Sequence, residues 1–245
     1  MKFERNYFVH YYDIDLKKRL MITALLRYFE DLAILQSEDA KIGLEYYKKN
    51  SVAWVLYKWK VDIKKYPSFR DEIKVITEPR AFVRFYAYRT FEIRAMNEEL
   101  LASATSLWFF VDTNTRKPVK ISEDMIKGYR VQNSDVKSLE IEELKPMLRT
   151  DFEKYFNVRL SDIDTNNHVN NISYIDWALE VIPSYVFEEY SLKHLKVVYK
   201  KETNYGSRVK SAVEVNKECN KVICLHKIVE DENELCIIET IWEKE

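Results

Sequence analysis

The sequence predicts an α+β fold built twice in one chain, and three observations point to it. Asp13-Ile14-Asp15 recurs as Asp162-Ile163-Asp164. Around each copy an alternating apolar stretch gives way to helical spacing. Each half then closes on a strand-like run ending in Trp, Leu101 to Trp108 and Leu235 to Trp242. The separation of the copies far exceeds a solenoid period, which indicates a duplicated domain rather than an array.

The elements follow in the same order in both halves. Tyr7, Val9 and Tyr11 alternate before the first Asp-x-Asp, and Phe156, Val158 and Leu160 before the second, with the period of a half-buried strand. Leu25, Leu26, Phe29, Leu32 and Ala33 then form one helical stripe. Ile172, Ile175, Ala178, Leu179 and Ile182 form the other, closed by Pro183. Next, Lys58 to Ile63 ahead of Tyr66-Pro67-Ser68 aligns with Val197 to Glu202 ahead of Tyr205-Gly206-Ser207, setting Glu202 opposite Ile63. Asn97-Glu98-Glu99 and Glu232-Asn233-Glu234 mark turns before the last strands. A helix laid on one face of an antiparallel sheet is an α+β layer arrangement. The order is that of a hotdog domain, a curled sheet wrapping a helix. A tandem (double) hotdog is therefore expected, with two antiparallel sheets each wrapping a long central helix. Residues 1–128 and 151–245 form the halves, and 129–150 a polar connector whose Leu139, Ile141 and Leu144 pack locally.

Composition narrows the function. With 14% aromatic residues and only three Gly and five Pro, the chain of 245 residues is neither disordered nor fibrous. Lys+Arg (39) nearly balances Asp+Glu (40), which argues against a nucleic-acid partner. Cys219, Cys224 and Cys236 lack disulfide or zinc spacing and read as small buried hydrophobes. No apolar run is long enough for a membrane span, and the first residues do not resemble a signal peptide. The expectation is a soluble, cytoplasmic protein with no metal and no cofactor.

The halves diverge at one place. After the shared Asp-x-Asp, the second half carries Thr165-Asn166-Asn167-His168-Val169-Asn170-Asn171, whereas the first has Leu16-Lys17-Lys18-Arg19-Leu20-Met21-Ile22. A carboxylate, amides and an imidazole at the mouth of a helix suit acyl transfer to water. Free N–H groups and the helix dipole favour a developing oxyanion, and an Asn amide adds a donor. A His moves protons near neutral pH, and a carboxylate can orient it or activate water. Glu202, on a neighbouring strand, supplies a second carboxylate. Asp, Asn and Thr are also ordinary capping residues, but a cap needs neither the His nor the distant Glu, which leaves the two readings level. His10, His194 and His226 lack such a setting and read as surface or ladder residues. Trp108 and Trp242 read as core anchors.

These motifs resemble the acyl-acyl carrier protein thioesterases. The family hallmark is similar to Asp164 through Asn171 followed by Tyr174-Ile175 and Trp177, and a second signature to Tyr199-Lys200-Lys201-Glu202-Thr203. Trp54 through Tyr66-Pro67 to Asp71, and Trp108 to Asp112 with Thr115-Arg116-Lys117, extend the resemblance over nearly the whole chain. It implies a double hotdog that hydrolyses fatty acyl-acyl carrier protein, ending fatty acid synthesis. It also implies a catalytic set of Asp164, Asn166, His168 and Glu202. Glu202 would act on water held by Asp164 and His168, and Asn166 would polarise the carbonyl. The family usually has Cys after the Glu, and Thr203 here counts against a cysteine nucleophile. The absence of a transit segment points to a bacterial-style cytosolic enzyme.

An acyl slot is expected in the first half, where Tyr28, Phe29, Phe82, Phe85, Tyr86 and Tyr88 lie, most of them as plain core. Acidic acyl carrier protein calls for basic docking residues, with Lys193, Lys196, Lys200, Lys201, Lys17, Lys18 and Arg19 as candidates. Activity on acyl-coenzyme A, or acyl binding without catalysis, are the alternatives. An internal pseudo-dimer allows a monomer or a homodimer.

Overall fold

The computed structural model describes residues 1–131 and 136–244, so residues 132–135 of the expected connector lie outside the described residues. The chain divides into two compact units, Met1–Tyr57 with Ile63–Ile141, and Lys58–Asp62 with Glu142–Glu245. No helix among the described residues is long and apolar enough to cross a membrane.

The first unit runs β1 (Phe3–Phe8), α1 (Ile22–Asp39), α2 (Leu44–Asn50), β2 (Val52–Ile63), β3 (Glu72–Val83), β4 (Tyr86–Ala95), β5 (Leu100–Asp112) and α3 (Glu123–Tyr129), with Lys58–Asp62 of β2 grouping with the second unit. The stripe Leu25, Leu26, Phe29, Leu32 and Ala33 is buried on α1, which packs on β3 and β1. Burying a large apolar side chain contributes roughly 1.5–3 kcal/mol, so this stripe anchors the unit. Phe29 stacks on Phe91 of β4, with ring centroids 4.8 Å apart. The β4–β5 turn falls at Asn97-Glu98-Glu99 as expected. Asn97 Oδ1 accepts from Glu99 N at 3.1 Å, and Glu98 takes the left-handed φ of 67°.

The second unit contains β6 (Phe152–Asn157), α4 (Asn171–Leu179), α5 (Ser184–Glu189), β7 (Tyr190–Tyr199), β8 (Arg208–Lys217), β9 (Lys221–Glu230) and β10 (Asn233–Lys244). α4 packs on β8, β9 and β10. It has 9 residues against 18 in α1, so the second helix is not the long one expected. Pro183 disfavours helical backbone at Ile182, so the helix cannot carry the whole stripe, and it ends after Leu179. Ile182 still buries itself from the following turn. The turn before β10 also differs, falling at Asp231-Glu232 with Asp231 at φ 52°.

The alternating stretches end earlier than their pattern suggests. β1 and β6 stop at Phe8 and Asn157, and the chain then makes 3-10 turns at Tyr11–Asp13 and Leu160–Asp162. Tyr11 (77% exposed) and Leu160 (74%) therefore face solvent, while Val9 and Val158 are buried. The strands are antiparallel and hydrogen-bonded in the order β1-β3-β4-β5-β2-β7-β10-β9-β8-β6. This is one ten-stranded sheet with few helices, a hotdog-like fold, and it corrects the expectation of two sheets. Within the second unit, Lys58–Asp62 pairs antiparallel with β7. Of the connector residues, Leu139 and Ile141 are buried and Leu144 is half-buried.

Candidate active site

Both Asp-x-Asp motifs build the same turn. Asp13 Oδ2 accepts from His10 N (3.2 Å) and Asp162 Oδ2 from Arg159 N (2.8 Å), each closing its 3-10 turn. Asp15 Oδ1 accepts from the backbone N–H of Lys17 (2.8 Å) and Arg19 (2.9 Å). Asp164 Oδ1 accepts from those of Asn166 (2.8 Å) and His168 (3.3 Å). Lys18 and Asn167 then take left-handed φ values of 60° and 64°, a conformation that costs Asn less than most residues. The bridges Ile14–Leu20 and Ile163–Val169 close the two turns alike. Asp164 is thus the acceptor that shapes the loop. It reaches the backbone of His168 and the side-chain amide of Asn166 (3.3 Å) rather than the imidazole.

The loops that face these turns also correspond, and they correct the expected alignment. Lys64 and Lys65 N–H both donate to Leu101 C=O, as Lys200 and Lys201 do to Leu235 C=O. Leu20 N–H then donates to Pro67 C=O (2.8 Å), and Val169 N–H to Thr203 C=O (3.0 Å). Glu202 therefore stands where Tyr66 stands, not opposite Ile63. It also lies in the loop beyond β7 rather than on the strand.

In the second unit, His168 Nε2 lies 3.5 Å from Glu202 Oε2, with the two side chains 28% and 39% exposed. In the first, the Arg19 guanidinium lies over the Tyr66 ring, 4.8 Å from its centroid. One position holds an imidazole beside a carboxylate; its counterpart holds a cation on an aromatic face. Only the first pair can pass a proton. Asn170 caps α4 by accepting from Ile172 N (2.9 Å), whereas Met21 offers α1 no side-chain cap. The site thus has a solvent-accessible base, an imidazole and an amide beside a capped helix start. That set can deprotonate water and steady a carbonyl oxygen without a metal ligand set. Among the described residues, no group of three or more His, Cys, Asp or Glu could hold a metal ion.

Sequence reasoning missed what underlies the Glu202 loop. Thr203 is buried and its hydroxyl donates to Glu230 Oε2 at 2.7 Å. Tyr199 Oη donates to Asn171 C=O at 3.0 Å, tying the end of β7 to the start of α4. Tyr174 is buried below, and burial raises its phenol pKa, with the charges of Glu202 and Glu230 adding to the effect.

Other expected roles divide. Of the two expected settings, His226 takes the ladder: it pairs with Val213 and Ile238, is buried 3.1 Å from Thr240 Oγ1, and desolvation lowers its pKa to about 3. His194 pairs with Asp62 at 2.6 Å. Cys224 and Cys236 are buried, but Cys219 sits exposed in the β8–β9 turn. Trp242 is buried with its indole N–H on Thr240, whereas Trp108 is only half-buried. Phe29, Phe82 and Tyr88 are core, Phe85 and Tyr86 are half-buried, and the Tyr28 hydroxyl donates to Asp13. Among the basic candidates, Lys196 pairs with Glu142 and Glu239, and Lys200 with Glu234.

Comparison with known proteins agrees over both halves. The models for the acyl-ACP thioesterase N-terminal domain and C-terminal domain match residues 1–129 and 146–244. A chloroplastic dodecanoyl-[acyl-carrier-protein] hydrolase of Cinnamomum camphora is 26% identical, over 98% of this chain and 67% of its own. Among solved structures, a Lactobacillus plantarum protein provisionally described as an oleoyl thioesterase superposes with a TM-score of 0.91. It has 26% identity and covers 100% of this chain and 96% of its own. The 12:0-ACP thioesterase of Umbellularia californica gives 0.87 at 20% identity, covering 100% and 94%, which speaks for the fold. The chain spans 67%, 62% and 55% of the length of the first three curated relatives it matches.

Proposed function

The chain belongs to the acyl-ACP thioesterase family, and from that premise we propose that it hydrolyses the thioester of fatty acyl-acyl carrier protein and releases free fatty acid. The observation that carries this proposal is the 3.5 Å approach of His168 Nε2 to Glu202 Oε2 on a turn whose twin holds Arg19 on Tyr66. Glu202 takes a proton from water as its oxygen attacks the thioester carbon. His168 keeps the carboxylate and the water in line, and the amide of Asn166 faces the carbonyl oxygen as it becomes negative. The C–S bond then breaks and the thiolate leaves, taking a proton from the site or solvent. Asp164 contributes by holding the backbone of Asn166 and His168.

The organisation that accompanies this chemistry is a tandem hotdog. Residues 1–128 form a copy with a degenerate site and an acyl-chain pocket, 129–150 connect, and 151–245 form the catalytic copy. The partner is acidic acyl carrier protein, and the compartment is the cytoplasm. Release of free thiol from acyl carrier protein substrates of graded chain length tests the function. Faster turnover of the matching acyl-coenzyme A would reassign the carrier, and thioester binding with no thiol released would remove the activity altogether.

A further inference from the structure

We propose that Thr203, anchored by Glu230, is a positioning residue that sets the reach of Glu202 towards His168. The proposal rests on the thioesterase reading of this site. Thr203 is only 2% exposed, follows Glu202 directly and is held from two sides. Its carbonyl accepts from Val169 N–H at 3.0 Å, one residue beyond His168. Its hydroxyl donates to Glu230 Oε2 at 2.7 Å, at the end of β9. One residue therefore ties the His168 turn, the Glu202 backbone and the sheet together.

Glu202 and Thr203 share a peptide bond, so holding Thr203 by its hydroxyl on Glu230 and by its carbonyl on Val169 N–H fixes the backbone from which Glu202 reaches out, its side chain 39% exposed and 3.5 Å from His168. The first unit shows which of these ties the loop itself needs. There Leu20 N–H donates to Pro67 C=O at 2.8 Å, so the backbone tie is present. Pro67 has no hydroxyl, and the loop forms without one. Ile63, at the end of β2, likewise cannot make the bond that Tyr199 Oη gives Asn171 C=O at 3.0 Å. The side-chain ties accompany the imidazole–carboxylate pair, not the loop. At 2% exposure Thr203 gives a thioester carbon little access to its hydroxyl, which sets positioning apart from nucleophilic catalysis.

The test compares Thr203→Val, which keeps the shape and removes the hydroxyl, with Thr203→Ser, which restores it. Misplacing a catalytic group by a fraction of an ångström costs on the order of tenfold or more. Thr203→Val should lower kcat about tenfold with KM within about twofold, and Thr203→Ser should recover kcat. The His168 imidazole NMR signal, read without substrate, should move in Thr203→Val and return in Thr203→Ser. Unchanged kcat and an unmoved imidazole signal in Thr203→Val would overturn the proposal. So would a loss that follows melting temperature alone, or an acyl adduct on Thr203 in the mass spectrum. An unmodified protein that releases no thiol sinks the functional reading instead, and the imidazole signal still decides whether the clamp exists.

Discussion

Two turns of nearly identical backbone carry opposite equipment. In both, an Asp accepts from two N–H groups, a left-handed residue follows, and a bridge closes the loop. In one, Arg19 covers Tyr66; in the other, His168 meets Glu202. What the fold requires is whatever the two turns share, and what the chemistry requires is whatever they do not. Asp164 therefore belongs to the scaffold, since Asp15 does the same work beside Arg19 and Tyr66. Thr203 and Tyr199 fall on the side of what differs, since Pro67 and Ile63 stand in their places without loss of the loop.

The comparison breaks most readily at the proton-transfer pair. Glu202→Ala and His168→Ala should each lower kcat by about 10²–10⁴-fold, with melting temperatures near that of the unmodified protein because both side chains are partly exposed. The double change His168→Arg with Glu202→Tyr rebuilds the first turn's pair in the second unit. It should fold and be inactive. Circular dichroism with thiol-release rates checks both, and near-normal turnover in the two alanine variants would reject the site.

A second difference lies within the strand ladders. His226 pairs with Val213 and Ile238 on neighbouring strands, and Phe91 pairs with Thr77 and Ala104, so His226 takes the place of Phe91. Burial lowers the His226 pKa from 6.5 to about 3. The folded protein therefore holds it neutral, while the unfolded chain binds a proton below 6.5. Stability from this residue is complete above pH 6.5 and declines as pH falls towards 3. By pH 4 the loss is on the order of 3 kcal/mol. Denaturant melts at pH 7 and pH 4 should show that gap, and His226→Phe should shrink it. An equal gap in the variant would assign the acid sensitivity elsewhere.

Much of this contrast was legible in the sequence, because it is local. The Asp-x-Asp repeat, the stripe of α1 and the polar run from Thr165 to Asn171 all lie within a few residues of what they organise. The counterpart of Glu202 was not legible. The Tyr-x-Ser strings at Tyr66 and Tyr205 suggest an alignment three residues from the one that the hydrogen bonds to Leu101 and Leu235 impose. Loop register is set by strand pairing, which leaves no local pattern. The bond from Thr203 to Glu230 is hidden for the same reason, joining the loop beyond β7 to the end of β9. Cys219 looked like its buried namesakes until the β8–β9 turn carried it to the surface.

The two aspartates offer a finer test of what is shared. Asp15→Ala and Asp164→Ala each remove an acceptor from two backbone N–H groups in a partly exposed turn, and each should cost about 1–2 kcal/mol of stability. Activity should separate them. Asp164→Ala releases the backbone that presents Asn166 and His168, so turnover should drop well beyond what its stability loss explains. Asp15→Ala should leave turnover near normal at temperatures where the protein is folded. Equal activity losses would mean that the first turn contributes to the reaction.

The smallest expected effect concerns the first turn's counterpart of the His168–Glu202 pair. A guanidinium over an aromatic ring at a partly exposed position contributes about 0.5–1 kcal/mol. Tyr66→Leu keeps apolar cover over the Arg19 stem and removes the π face, so it should lower stability by about that amount. Tyr66→Glu instead gives Arg19, already 3.6 Å from Asp15 Oδ2, a second carboxylate at the position of Glu202. A partly exposed ion pair contributes about as little as the stack it replaces, so stability should stay within about 1 kcal/mol of the unmodified protein. Neither change should alter thioester turnover. A large fall in kcat from Tyr66→Leu would give the first turn a part in the reaction and end the division between scaffold and chemistry.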